Sequence, residues 1–178
     1  KNVNLSKTSI IPHGVLKSRK INLTTKKKNI LFVGKLNHAK GYHIFSEAAL
    51  KFKKIDPQWN FIAIGNEARK NIFPDPKVVD EIGYKKNSEV LKYYAQSEIA
   101  VGNSVWNEPL GRIAIEASSR KCLPIISNKG GLAESKNISI VLKENTSTEL
   151  VGVLKKITKN ISLRRQKQKQ FYKNNNFD

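Results

Sequence analysis

The stretch IAVGNSVWNEPLGRIAIEASSRKCLPII, residues 99–126, predicts a strand, a turn, a helix and a second strand. The apolar runs at 99–102 and 123–126 are short and continuous, as in strands that are buried on both faces of a parallel sheet. Between them an apolar helix over about 111–120 follows a Glu-Pro-Leu-Gly turn. The stretch therefore predicts a βαβ unit, whose crossover should be right-handed.

The same alternation continues on both sides of this unit. Further strands are predicted at 29–33, 60–64, 78–82 and 138–142, and further helices at about 41–54, 88–95 and 147–158. Buried strands that alternate with helices indicate an α/β fold. We expect a Rossmann-like open parallel sheet of about six strands with helices on both faces.

Three segments follow from this pattern. Residues 1–28 are polar and lysine-rich and are interpreted as a hinge or linker, 29–160 as the α/β domain, and 161–178 as a basic C-terminal helix or tail. The apolar residues of the tail, Phe171, Tyr172 and Phe177, need a surface to pack against. The chain begins at Lys1 and contains no Met, so we expect it to be a piece of a longer protein.

The composition is strongly basic, with a net charge of +19. Such a charge indicates an anionic partner, which is a nucleic acid, an anionic membrane surface or a phosphorylated substrate. An A+T-rich coding sequence would explain the same excess, because most of it is Lys and it accompanies abundant Ile and Asn. The single cysteine, Cys122, cannot form an internal disulfide and fits a reducing compartment.

Two carboxylates flank the predicted helix start. Glu108 precedes the helix and Glu116 lies eight residues later among apolar residues, where burying its charge is costly unless a partner pairs with it. Both can reach one ligand, with the backbone amides of Leu110 and Gly111 beside them, and sugar or ribose hydroxyls would suit. Arg112 either lies near a diphosphate or pairs with a carboxylate. The alternative is a solvated Glu108 and a Glu116 paired with a Lys.

The other strand-to-helix turns matter because ligands of open parallel sheets bind at the carboxyl ends of the strands. In FVGKLNHAKGYHIF, residues 32–45, Gly34 ends a strand, and Lys35 and Lys40 form a diphosphate clamp or are two solvated lysines. The pair Gly130-Gly131 lets the backbone approach a ligand or a neighbouring strand closely.

Two further turns add candidates. Gly83 and Tyr84 follow the strand at 78–82 and can place backbone groups and a ring edge near a planar base, although Tyr84 can equally be a surface residue. Ser104 lies at the end of the strand that precedes Glu108.

Several kinds of site are not indicated. The three His residues do not share metal-ligand spacing and no His-Cys cluster occurs. The patterns GxxxxGK[ST] and GxSxG are absent, and the first turn lacks GxGxxG. We expect neither a metal nor a dinucleotide cofactor.

Six short motifs follow one another along the chain. They are IPHGV at 11–15, FVGKL at 32–36, IAIGN at 62–66, IGY at 82–84, the Glu108–Glu116 block, and LPIISNKGGLAE at 123–134. Their order resembles the C-terminal half of family 4 glycosyltransferases, the retaining GT-B enzymes also called group 1. The resemblance spans about residues 10–142. It implies that the sheet is the donor-binding half of a GT-B fold.

The resemblance also implies roles for matching residues. Glu116 resembles the glutamate that holds ribose hydroxyls, and Glu108 the one that contacts the donor sugar together with the Leu110 and Gly111 amides. Lys40 resembles the lysine on the diphosphate. Lys35 stands where the family usually has an arginine, so it keeps the charge but loses the bidentate fork.

The remaining matches are less direct. Tyr84 falls near the base-binding segment and Ser104 near the phosphate side of the cleft. His13 replaces the usual Asn of the hinge, and 119–121 replaces a smaller turn.

The activity implied is transfer of a hexose-type sugar, with retention and without a metal, from a UDP-, GDP- or ADP-sugar to a glycan or lipid-linked acceptor. The acceptor half normally precedes this segment, so we expect the chain to bind donor but to turn over poorly or not at all. Bacterial members often build cell-surface glycans, which implies a cytoplasmic location with peripheral contact at the inner face of the membrane.

Two alternatives remain. A basic nucleic-acid-binding module should cluster its cations on one face with interleaved aromatics, whereas here the cations are spread through all segments, so we expect no nucleic acid partner. A GT-B-like protein that binds nucleotide sugars without transferase activity is the other alternative.

Overall fold

The computed structural model describes residues 14–18, 21–68 and 78–175. Within them, six strands pair in parallel as one sheet with the order β3-β2-β1-β4-β5-β6. The strands are β1 (Lys27–Val33), β2 (Asn60–Ile64), β3 (Val79–Glu81), β4 (Ser97–Gly102), β5 (Leu123–Ser127) and β6 (Ile140–Leu142). The strand order reverses between β1 and β4, and ligands of open α/β sheets bind at such a point.

The helices are α1 (Tyr42–Lys53), α2 (Asn87–Gln96), α3 (Arg112–Ser118), α4 (Ser147–Lys159) and α5 (Ile161–Asn174), and a 3-10 helix covers Gly130–Ile138. All six predicted strands are present, so the α/β fold class is confirmed. None of the helices that the structure describes has the length and apolarity to cross a membrane.

Alternation along the strands explains why helices cover both faces. In β1, Phe32 packs on one face against Phe45 of α1, in a core that also receives apolar residues of α4. Leu31 points to the other face, where Tyr94 of α2 belongs to its core. Successive side chains of a strand point to opposite faces, so a continuous apolar strand needs helices on both sides.

The 3-10 helix was not predicted, because the pair Gly130-Gly131 is typical of a turn. Its apolar residues explain why the chain coils here, since Leu132 and Ile138 are fully buried. The helix α2 begins at Asn87, one residue before its predicted start. The helix α4 begins at Ser147, as predicted, and the Thr146 side chain caps it by accepting a hydrogen bond from the Glu149 amide.

The C-terminal helix packs against the domain. Its residues Arg164, Gln168 and Phe171 are buried, with exposed fractions of 4%, 1% and 5%. After the helix, the Asn175 amide donates to the Ile115 carbonyl of α3 at 2.8 Å. The surface that Phe171 needs is therefore provided by this chain, while the division of the sequence at residue 160 stays a prediction.

Some predicted features lie outside the described residues. They are most of the IPHGV segment, including His13, and Phe177 of the tail. The described end of the hinge segment lies beside the end of α3, where Arg120 Nη1 donates to the Leu16 carbonyl at 2.5 Å.

Candidate functional site

A cavity of about 360 Å³ opens at the carboxyl ends of the two central strands. Eight of the predicted site residues line it: Lys40, Tyr84, Ser104, Glu108, Leu110, Gly111, Arg112 and Glu116. The cavity lies where the strand order reverses, at the carboxyl ends of the neighbouring strands β1 and β4.

Hydrogen bonds to a backbone carbonyl hold the β1–α1 loop and the β4–α3 loop together beside the cavity. The Val105 amide and the Ser104 hydroxyl both donate to the Ala39 carbonyl at 3.0 Å. Gly41 has a φ of 75°, and a Cβ there would lie 1.9 Å from the Asn103 carbonyl oxygen. Only glycine permits this approach, which holds the loop that carries Lys40 against the loop that carries Glu108.

Lys40 and Glu108 form an ion pair across the two loops. The Lys40 ammonium donates to both carboxylate oxygens of Glu108, at 2.6 and 2.8 Å. The Glu108 side chain is only 12% exposed, and the ammonium lies 5.4 Å from the Trp106 ring centroid. Each charge is therefore neutralised by the other.

The pair Gly130-Gly131 packs closely against the backbone of the Glu108 loop. The Gly131 amide donates to the Glu108 carbonyl at 2.6 Å, and a Cβ at Gly131 would lie 2.6 Å from the Pro109 carbonyl oxygen. The close approach that the sequence predicted for this pair is therefore made to the Glu108 loop.

Glu116 lies on α3 and is 7% exposed. Arg112, one turn earlier, donates from Nη2 to Oε1 at 2.6 Å, and Asn87 of α2 donates to the same oxygen at 3.1 Å. The buried carboxylate therefore has the partners that its burial requires. Of the two roles considered for Arg112, the structure shows pairing with a carboxylate.

The remaining predicted residues divide between the rim and the surroundings. Tyr84 is 71% exposed and Leu110 38% exposed at the rim of the cavity. Lys35 is exposed and lies outside the cavity wall, as do Gly34 and Gly83, which neighbour wall residues in sequence. The structure therefore brings Lys40 to the cavity but leaves Lys35 outside it.

Among the polar residues of the cavity wall, sequence reasoning missed three, which are Lys85, Asn87 and Tyr94. Tyr94 is fully buried, and its hydroxyl has no hydrogen-bond partner among the described residues. Burial and the nearby charge of Glu116 raise the pKa of Tyr94 well above its ordinary value. The position of Asn87 in the sequence could have indicated it as a site residue. It begins the helix that follows the IGY turn, and that turn lies at the carboxyl ends of the strands, where the cavity opens.

No metal centre is visible in the described part of the chain, where no three His, Cys, Asp or Glu side chains cluster. His38 and His43 are stacked on each other, with ring centroids 3.8 Å apart. The expectation that the protein uses no metal stays a prediction.

The family model described as glycosyl transferases group 1 matches residues 16–175. The chain belongs to the group 1 glycosyltransferase family. It is 30% identical over 132 residues to spore coat protein SA of Bacillus subtilis (strain 168), and the match covers 65% of this chain and 35% of that protein.

Solved structures agree on the fold of this glycosyltransferase family member. The C-terminal domain of the group 1 protein LpcC from Francisella tularensis superposes with a TM-score of 0.74 at 19% identity, covering 89% of this chain and 92% of that one. Alr3699/HepE from Anabaena, solved with UDP, superposes with a TM-score of 0.71 at 17% identity, covering 86% of this chain and 45% of that one. The sheet is therefore a GT-B half-domain, and this chain spans less than half the length of the Bacillus and Anabaena proteins.

Proposed function

We propose that the chain is the donor-binding domain of a retaining, family 4 type glycosyltransferase. It would transfer a hexose-type sugar from a nucleoside diphosphate sugar to a glycan or lipid-linked acceptor. One observation carries the proposal: two carboxylates, each held by its own cation, line one cavity at the point where the strand order reverses.

The Glu116 side of the cavity would hold the nucleoside. Among the described residues, both hydrogen bonds that the Glu116 carboxylate accepts go to Oε1, so Oε2 would be available to a ribose hydroxyl. Tyr84, at the rim, would lie beside the base. The Anabaena relative in the same fold was solved with UDP and with UDP-glucose, which supports a nucleotide as the ligand here.

The Lys40 side would hold the diphosphate and the sugar. A diphosphate carries more negative charge than Glu108 and would compete for the Lys40 ammonium. Glu108 would then be free to accept hydrogen bonds from sugar hydroxyls, so that one ligand satisfies both members of the ion pair. The amides of Leu110 and Gly111, and the charge of Lys35 outside the wall, would add to stabilisation of the departing diphosphate.

This arrangement supplies positive charge from side chains and amides, and we propose that no metal is needed. An acceptor-binding half would complete the enzyme, so this chain alone would bind donor with little or no turnover. The net charge of +19 would favour peripheral contact with an anionic, inner membrane surface, and the location would be cytoplasmic.

Calorimetric titration with UDP, GDP and ADP tests the proposal. We expect heat of binding with at least one of them, weakened little by moderate salt. No heat with any of the three, from a chain shown to be folded by circular dichroism, would refute it. DNA binding with a steep salt dependence and no nucleotide binding would instead favour the nucleic-acid module. Sugar transfer by the chain joined to its acceptor half would exclude a binding protein without transferase activity.

A further inference from the structure

We infer that Asn87 is a positioning residue that makes the site select ribose, by fixing which oxygen of Glu116 faces the ligand. The inference rests on the proposed function, because it assumes that a nucleoside diphosphate occupies the cavity. It concerns a residue that the sequence motifs do not single out.

Asn87 begins α2 at the same edge of the sheet as Glu116. Its Nδ2 donates to Glu116 Oε1 at 3.1 Å, and both residues line the cavity. The first turn of α2 is itself held in place, because Glu89 accepts a hydrogen bond from the Lys86 amide at 3.1 Å. Asn87 is exposed, but its side chain is short and its hydrogen bond ties Glu116 to the start of α2.

Two donors from different helices converge on one oxygen. Arg112 Nη2 donates to Oε1 at 2.6 Å, and Asn87 reaches the same atom. Among the described residues, Oε2 of Glu116 receives no hydrogen bond. The carboxylate is therefore held through Oε1, and Oε2 can accept a hydrogen bond from a ribose hydroxyl.

Arg112 alone would not hold this arrangement. Its side chain is 52% exposed, and a guanidinium pairs best with a carboxylate through two parallel hydrogen bonds that use both oxygens. Without Asn87, the Glu116 carboxylate would turn toward that bidentate pairing. Oε2 would then be occupied by Arg112 and would no longer accept a ribose hydroxyl.

The ratio of two affinities measures this role. We would titrate the chain with the nucleoside diphosphate that it binds best among UDP, GDP and ADP, and with the 2′,3′-dideoxy counterpart. The intact chain should prefer the ribose form about tenfold, as expected for one hydrogen bond to a charged group. In Asn87→Ala and in the uncharged, nearly isosteric Asn87→Leu, the ratio should fall to about twofold, with dideoxy binding nearly unchanged.

Two variants sharpen the test. Ser88→Ala, at an exposed neighbouring position outside the cavity wall, should keep the wild-type ratio. Adding Arg112→Lys to Asn87→Ala should restore part of the ribose preference, because an ammonium lacks the fork that engages both oxygens.

The outcomes separate this inference from the proposed function. If the intact chain binds none of the nucleotides, the proposed function fails and the inference fails with it. If it binds them and Asn87→Leu keeps the ribose preference, only the inference is overturned. Equal weakening of ribose and dideoxy forms would also overturn it, because a merely structural role of Asn87 would not distinguish the sugars.

Discussion

At the residue scale, Glu108 and Lys40 form an ion pair that the proposed diphosphate ligand would have to separate. Because they contact each other at 2.6 Å, part of the binding free energy of a diphosphate at this site would be used to release Lys40. The sequence predicted both residues as ligand contacts but did not predict that they bind each other. That contact depends on the hydrogen bonds between the two loops, which no local pattern reveals.

Replacing Glu108 by Gln should therefore strengthen binding of a bare nucleoside diphosphate. We expect a gain of about two- to fivefold, the size of a partly exposed ion pair, because Lys40 is released. The preference for a nucleotide sugar over the bare diphosphate should be lost. Calorimetry with both ligands measures this, and Glu134→Gln, an exposed residue outside the cavity, is the control. Weaker diphosphate binding in Glu108→Gln would contradict the account.

The two contacts of the Glu116 carboxylate differ in how well the sequence predicts them. Arg112 and Glu116 are four positions apart on a helix, so their pairing follows from helical spacing. Asn87 lies 29 positions from Glu116, and only the packing of α2 beside α3 brings them together. Local spacing therefore predicts the first contact and not the second.

At the element scale, the sheet was predictable because its strands are short, apolar and separated by helices. The 3-10 helix was not, because its two glycines are typical of a turn and its role depends on a distant loop. At Gly131, the atoms that exclude a side chain belong to the Glu108 loop, so the need for glycine there cannot be seen in the local sequence.

Gly131→Ala should displace the Glu108 loop. Its Cβ would lie 2.6 Å from the Pro109 carbonyl oxygen, so we expect a loss of about 1–3 kcal/mol in the free energy of unfolding, with weaker donor binding. Urea denaturation and calorimetry measure these effects. Gly152→Ala is the matched control, since a Cβ there meets nothing within 4 Å and should stabilise α4 by about 0.5–1 kcal/mol. A tolerated Gly131→Ala would show that the loop does not depend on this contact.

At the scale of the whole molecule, α5 contacts the sheet at the start of β4, and the residue after α5 contacts α3, which carries Glu116. Glu98, at the start of β4, is 3% exposed and accepts from Arg164, Arg165 and Gln168 of α5. At its other end, Asn175 bonds the helix that carries Glu116. The sequence predicted a basic helix here, but the carboxylate that pairs with Arg164 lies 66 positions away in the sequence.

Glu98→Ala should destabilise the chain strongly. It would leave the Arg164 guanidinium buried without its carboxylate, a change that typically costs about 3–5 kcal/mol. Glu47→Ala removes a surface ion pair with Lys51, whose side chains are 48% and 43% exposed, and should change stability by less than about 1 kcal/mol. Chemical denaturation compares the two variants. Similar effects would mean that α5 contributes little to the stability of the domain.

The central claim is that the cavity between Glu108 and Glu116 is the nucleotide site. It is tested most directly by calorimetric titration of the intact chain, Glu116→Ala and the control Glu134→Ala with the preferred nucleoside diphosphate. Glu116→Ala should lose about 1–3 kcal/mol of binding free energy, the value of a hydrogen bond to a charged group, while Glu134→Ala should bind like the intact chain. Unchanged affinity in a folded Glu116→Ala would contradict the claim.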